Sequence, residues 1–211
     1  MKIHNLNFVV PEYERNYDTY ESDSIELMKL IPENHLPIIE LGASIGVVSC
    51  ILNKKFNPVK QIVVEANPHL IDILEQNKKD NNCNFEIVNK AFSYQKECTF
   101  YIHKSFVASS EKGQASPSNT LKITVSTLTL KDLVNEKSIL IVDIEGTEID
   151  LINNELPLMK EKIAYVMIEF HKRLTGKWNI HKAIWKLKLN GFKIIGSNED
   201  TCIFKNKNVE L

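Results

Sequence analysis

Short, almost wholly apolar runs alternate along this chain with longer amphipathic stretches. Residues 38–41, 61–65, 85–88, 139–144 and 164–170 have strand length and are rich in Ile and Val, as strands buried on both faces are. Helical spacing is carried between them by residues 47–56, by Leu70, Ile71, Ile73 and Leu74, by residues 148–154 and by residues 179–190. Strand–helix alternation of this kind predicts an α/β fold, with a mostly parallel central sheet and helices on both faces. Residues 192–196 and 201–205 flank Ser197-Asn198-Glu199-Asp200, which predicts a C-terminal antiparallel hairpin.

The punctuation refines this picture. Asp23 or Ser24 can cap a helix running to about Ile31, and Asn67-Pro68 opens another with proline where its missing N–H does no harm. Pro157 is expected near the end of a helix, Gly191 just past one, and a further helix over 128–134. Residues 98–103 and 121–125 alternate like two antiparallel strands. They bracket 105–118, a Ser-, Gly-, Lys- and Pro-rich stretch with the composition of a flexible loop. One domain over 1–211 is expected, with an N-terminal arm and helix over 1–35 and a β insertion over 95–126. The first 20 residues, with Tyr13, Tyr17 and Tyr20, read either as a lid or as an ordered arm.

Composition narrows the function classes. The 211 residues carry a formal net charge of −1, so no global basic field points to nucleic acid. Lys182, Lys186 and Lys188 read as the wet face of a helix. Cys50, Cys83, Cys98 and Cys202 form no C-x-x-C pair and no zinc-like spacing. The N-terminus lacks the apolar core of a signal peptide, and no run has the length of a membrane span. The cytoplasm is the expected compartment.

Candidate chemistry follows from the strand ends, because ligands of open parallel sheets bind beyond the carboxyl ends of the strands. The first strand ends in Glu40 and the turn Gly42-Ala43-Ser44-Ile45-Gly46. The second ends in Glu65, the third leads to Asn89, the fourth to Asp143 and Glu145, and the fifth to Glu169 and His171. Two strands each closed by an acid and joined by a short helix form the cofactor half of a Rossmann-like domain. Dinucleotide folds usually carry G-x-G-x-x-G, which clears room for a pyrophosphate. The G-x-x-x-G spacing here favours a nucleoside cofactor without one, S-adenosylmethionine (SAM) first. On this reading the turn amides and Glu40 hold the methionyl end, and Glu65 accepts from both ribose hydroxyls. Asn89 either contacts the adenine amine or is a turn residue. Glu148 reads as a solvated acid in the first turn of a helix, favoured by the dipole. Asp143, which directly ends an apolar run, does not.

The segments IIELGASIG, VVEANP, VNKAF, VSTLTLKDL, IVDIEGTEIDLI and VMIEFH run in the order seen in FkbM-type methyltransferases, and the chain resembles that family from about residue 20 to 205. The pair IVDIEGTE and IEFH is the most family-specific. This resemblance implies a class I, Rossmann-like methyltransferase that converts SAM to S-adenosylhomocysteine while O-methylating sugars or natural-product hydroxyls. It implies cofactor contacts at Glu40, Gly42, Ala43, Ser44, Gly46, Glu65, Ala66, Asn67, Asn89, Lys90, Ala91 and Asp143. It also implies active-site roles for Asp143, Glu145, Glu169 and His171. This chain has Ser44 where the family usually has Asn, Glu40 where it often has Asp, Ala66 where proline is frequent, and Ile141 where lysine is common.

Methyl transfer to a hydroxyl of a sugar or glycan is the leading expectation, with His171 as base and Glu169 or Asp143 orienting it. Residues 105–118 are expected to close over the acceptor. A metal variant has Asp143 and Glu169 chelating a divalent ion beside the acceptor. Other small-molecule, protein or nucleic-acid acceptors form the alternative. Asp143-Ile144-Glu145-Gly146 lacks the Pro-Pro-aromatic pattern of amino-methyltransferases acting on bases. A non-catalytic SAM-binding module and a dinucleotide oxidoreductase complete the field.

Overall fold

A computed structural model of the chain describes residues 1–11, 17, 20–103 and 120–210. The elements in order are β1 (Lys2–Ile3), β2 (Leu6–Asn7), α1 (Ser22–Met28), β3 (Ile38–Leu41), α2 (Val47–Phe56) and β4 (Gln61–Val64). A 3-10 turn (Pro68–Leu70), α3 (Ile71–Asp80), β5 (Glu86–Val88), β6 (Ala91–Phe92), β7 (Glu97–His103) and β8 (Thr120–Leu128) follow. The chain continues through a 3-10 turn (Leu130–Asp132), β9 (Ser138–Val142), α4 (Glu148–Lys162), β10 (Ile163–Glu169), α5 (Lys172–Thr175), α6 (Lys177–Leu189), β11 (Phe192–Ser197) and β12 (Thr201–Asn206).

Seven strands form the central sheet in the order β11-β12-β10-β9-β3-β4-β5. The run from β5 to β10 is parallel, and β12 and β11 close the other edge antiparallel. Strand order reverses between β3 and β9, so the ligand crevice of a doubly wound sheet falls there. All four residues of β3 are buried. Ile39 and Leu41 pack in the cluster that contains Leu151, Ile152 and Leu187, from α4 and α6. Ile38 packs on the opposite face, with Leu27 and Met28 of α1 and Leu52 and Phe56 of α2.

Three expectations need correction. Residues 128–134 are not a helix. β8 runs on to Leu128 in register with β7 and β6, and Thr129 and Asp132 then form a capping box around a single 3-10 turn. Helix α4 does not end near Asn154 but passes through Pro157 to Lys162. A proline deprives the carbonyl four residues earlier of its donor. That carbonyl belongs to Asn153, and Lys186 Nζ from α6 reaches it at 3.4 Å. Finally, α1 is capped neither by Asp23 nor by Ser24; it starts after Glu21, which sits at φ 59 with no side-chain cap bond. The loop expected over 105–118 and Tyr13 lie outside the described residues.

The N-terminal arm is ordered where it is described. Asn77 of α3 is fully buried, accepts from Val9 N at 2.6 Å, and donates to Val9 O at 2.9 Å and to Ile45 O at 2.8 Å. One side chain thus ties the arm to the glycine turn. Asn81, a helical turn later, repeats the pairing with Asn7 N and O. Replacing Asn77 with Ala leaves these backbone groups without partners, so stability should fall by about 2–3 kcal/mol. Hydrogen exchange should accelerate selectively at Asn7 and Val9. Unchanged exchange there, measured by mass spectrometry, would show that the arm is held by other means.

Candidate active site

The cofactor half is built around two glycine conformations. Gly42 leaves β3 at φ 87, and a Cβ there would lie 1.7 Å from the carbonyl oxygen of Asp143. Only glycine lets the two strand ends run this close. Gly46 caps α2 at φ 84, with Leu74 of α3 2.4 Å from where its Cβ would be. Between them Ser44 takes a left-handed φ of 50 and aims its N–H at Glu65 Oε2, at 2.7 Å. Glu65 Oε1 accepts from Asn67 N, also at 2.7 Å. Burial pushes the Glu65 carboxyl up to about 7 despite these backbone donors.

A cleft over the carboxyl ends of the strands is lined by Gly42, Ser44, Glu65, Ala66, Lys90, Ala91, Asp143, Glu145 and Glu169, with an apolar floor of Leu41, Val64, Leu70, Phe92 and Phe100. A narrower recess shares Gly42, Ser44, Asp143 and Glu169 with it and reaches Glu40 and Ala43. Gly46, Asn67, Asn89 and His171 stand outside both linings. Asn67 Oδ1 accepts from His69 N, and Asn89 Nδ2 donates to the carbonyls of Glu65 and Ala66, so these two side chains brace the wall from behind. Tyr20 and Glu21, which sequence reasoning did not assign, complete the cleft.

Beyond β9 the chain turns through left-handed residues at Glu145 (φ 47) and Gly146 (φ 107) before entering α4. Strain of this kind at a non-glycine residue is a common companion of function. The turn, with the end of β10, gathers Asp143, Glu145, Glu148 and Glu169 around His171. Nε2 of His171 stands 3.3 Å from Glu145 Oε2, 3.5 Å from Asp143 Oδ1 and 4.0 Å from Glu169 Oε1. Nδ1 lies 2.7 Å from Glu148 Oε1. That oxygen also accepts from Gly146 N, so Nδ1 carries the hydrogen and donates.

Glu148 is therefore no solvated first-turn acid; its side chain is 0% exposed. The partner that orients His171 is Glu148, not Asp143 or Glu169. A helical-period count could have found it, because residue 148 falls on the same face as Leu151, Ile152 and Glu155, all buried. Burial works against the charged imidazole, but the Glu148 hydrogen bond and the charges of Asp143 and Glu145 outweigh it and raise His171 to about 9. In this ligand-free geometry His171 keeps its proton at neutral pH. Burial, together with the neighbouring carboxylates, holds Asp143 well above the usual range and raises Glu145 and Glu169.

The residues fit SAM. The cleft wall carries five carboxylates (Glu21, Glu65, Asp143, Glu145, Glu169) against one lysine, Lys90, which attracts a sulfonium and repels a pyrophosphate. Deeper, Glu40 Oε2 is buried without a hydrogen-bond partner, a vacancy suited to an ammonium group.

Residues 40–194 match the Methyltransferase FkbM domain. The chain belongs to this family and is a SAM-dependent methyltransferase. Its fold is similar to that of precorrin-6y C5,15-methyltransferase from Geobacter metallireducens (TM-score 0.52, 14% identity, covering 93% of this chain and 90% of that one). It is likewise similar to Aeropyrum pernix fibrillarin with natively bound SAM (0.53, 12%, 86% and 72%) and to an rRNA methylase from Streptococcus thermophilus (0.53, 8%, 87% and 93%). No curated protein matches the chain. Among the described residues no helix is long and apolar enough to cross a membrane.

Glu40 offers a test of the electrostatics. Burial holds its carboxyl at about 8, above the ordinary 4.5, with Glu21 and Glu65 adding to the rise and the Ser49 hydroxyl opposing it. The unfolded chain loses this proton near 4.5 while the folded chain keeps it. Stability from this group is thus complete below pH 4.5 and is lost as pH rises towards 8. Glu40→Gln should match wild type near pH 5 and melt higher by about 10 °C at pH 8.5, where the lost interaction is worth about 4 kcal/mol and each kcal/mol about 2–4 °C. Parallel melting curves across that range would mean that Glu40 is already ionised in the fold.

Proposed function

We propose that this enzyme transfers the methyl group of SAM to a hydroxyl of a sugar or glycan residue, in the cytoplasm. One observation carries the acceptor assignment. A second groove adjoins the cofactor cleft, shares Tyr20, Glu21 and Glu169 with it, and is walled by Asp23, Asn198, Glu199, Asp200 and Thr201. Carboxylates and an amide beside an aromatic ring suit the hydrogen-bonding needs of a polyhydroxylated ring. No lysine or arginine lines the groove among the described residues, and Lys172 beside it is ion-paired with Asp200, so a phosphate backbone finds little counter-charge. The rRNA methylase named above shares the fold, yet this electrostatics disfavours RNA here. All four cysteines are free thiols, in keeping with a reducing compartment.

SAM supplies an electrophilic methyl on a positively charged sulfur. Glu40 would accept from its ammonium group and Glu65 from the ribose hydroxyls, and the turn at Gly42, Ala43 and Ser44 would hold its methionyl end. The Ala66 and Lys90–Ala91 walls enclose the base. Glu169 stands on the partition between cleft and groove and takes the hydroxyl proton on its carboxylate. Bound SAM would supply the methyl carbon to the acceptor oxygen, its sulfur keeping the electron pair of the carbon–sulfur bond. His171, held by Glu148, fixes the surrounding carboxylates, including Asp143 and Glu145, and so positions the reacting face.

His171→Ala and Glu169→Gln should each lower methyl transfer by about 100-fold or more, while SAM affinity stays within about threefold of wild type. The assay uses radiolabelled SAM with panels of free sugars, glycosides, RNA transcripts and proteins. Label incorporated into a carbohydrate, lost in both variants, is the expected result. Label in RNA or protein alone overturns the acceptor assignment, and wild-type turnover in either variant overturns its role.

A further inference from the structure

We propose that Asp143, Glu145 and His171 form a divalent-cation site beside the methyl-transfer cleft, with a donor set suited to Mn²⁺. The inference rests on the methyl-transfer reading for its use, but its geometry stands alone.

Asp143 Oδ1, Glu145 Oε2 and His171 Nε2 lie within 4.8 Å of one another. The shortest approaches to Nε2, 3.3 and 3.5 Å, exceed a good N–H···O hydrogen bond. They come close to the separation of about 3 Å between neighbouring ligands on a coordination sphere with bonds near 2.1 Å. These atoms surround a point more than they bond to one another. Asp143 Oδ1 is shielded from solvent, and His171 Nε2 at 3.5 Å is too far away to give it a good hydrogen bond. Glu148 takes Nδ1–H and leaves Nε2 facing the two carboxylates, so Nε2 becomes the ligand by releasing its proton as the cation binds. A fully buried carboxylate behind a histidine is the usual outer-shell support of a metal ligand. Glu169 Oε1 stands 4.0 Å from the same Nε2 and lines the cleft beside the site.

Two carboxylates and one imidazole form a mixed oxygen and nitrogen set, which Mn²⁺ accepts and which suits it better than the all-oxygen shell of Ca²⁺. At this position the ion would bind the acceptor hydroxyl, lower its pKa and align it with the methyl group, while Glu169 receives the proton. The cation also relieves the mutual repulsion of the carboxylates that converge on His171.

The test is Mn²⁺ binding to chelator-stripped full-length protein without SAM, read by electron paramagnetic resonance. The expected result is one ion per chain, weakened about 10-fold or more by Glu145→Gln and by Asp143→Asn, and less by Glu148→Gln. Circular dichroism confirms that each variant is folded. The absence of Mn²⁺ binding, or equal binding in wild type, Glu145→Gln and Asp143→Asn, overturns the site. Methylation that persists in excess chelator removes the proposed use of the ion and leaves the methyl-transfer reading intact. Mn²⁺ binding without any methylated hydroxyl removes that reading and leaves the site intact.

Discussion

The close approach of Gly42 to Asp143 is the constraint on which the rest of this site depends. β3 and β9 are neighbours in parallel register, with Leu41 opposite Val142. The next residue of each strand therefore meets at the point where strand order reverses, and there is no room for a side chain on the glycine. This contact places the cofactor turn and the acidic cluster on the two lips of one crevice.

Charge imbalance gives that crevice its chemistry. The cleft wall carries a surplus of carboxylates, most of them raised by burial and by one another. Such an arrangement costs stability in the empty protein and is relieved by positive charge. A sulfonium, an ammonium and a metal cation are all species of that kind. A dinucleotide phosphate is not, which is why glycine spacing and electrostatics agree on the cofactor class. Glu148 holds the one imidazole in the middle of these acids, so it governs the site without reaching the cleft.

Local signals made much of this legible in advance. β3 and α2 fall on the residues that the apolar run and glycine turn indicated, because a buried strand followed by a left-handed cap leaves few alternatives. Strand ends also located Asp143, Glu145, Glu169 and His171, since topology carries every parallel strand end to one edge. What failed depended on contacts across the fold. Glu148 resembled a wet first-turn acid until β10 brought His171 against it. Pro157 resembled a terminator until Lys186 arrived from α6 to satisfy the carbonyl it leaves free. Asn89 has the composition of a ligand-contacting residue, yet its Nδ2 donates to backbone carbonyls of its own wall.

Calorimetric titration of the purified protein with SAM, S-adenosylhomocysteine and NAD⁺, beside Glu65→Ala, tests the central claim most directly. Micromolar binding of the first two ligands, lost in the variant and absent for NAD⁺, is the result this account predicts. Binding of NAD⁺ in place of SAM, or SAM affinity indifferent to Glu65, would contradict it.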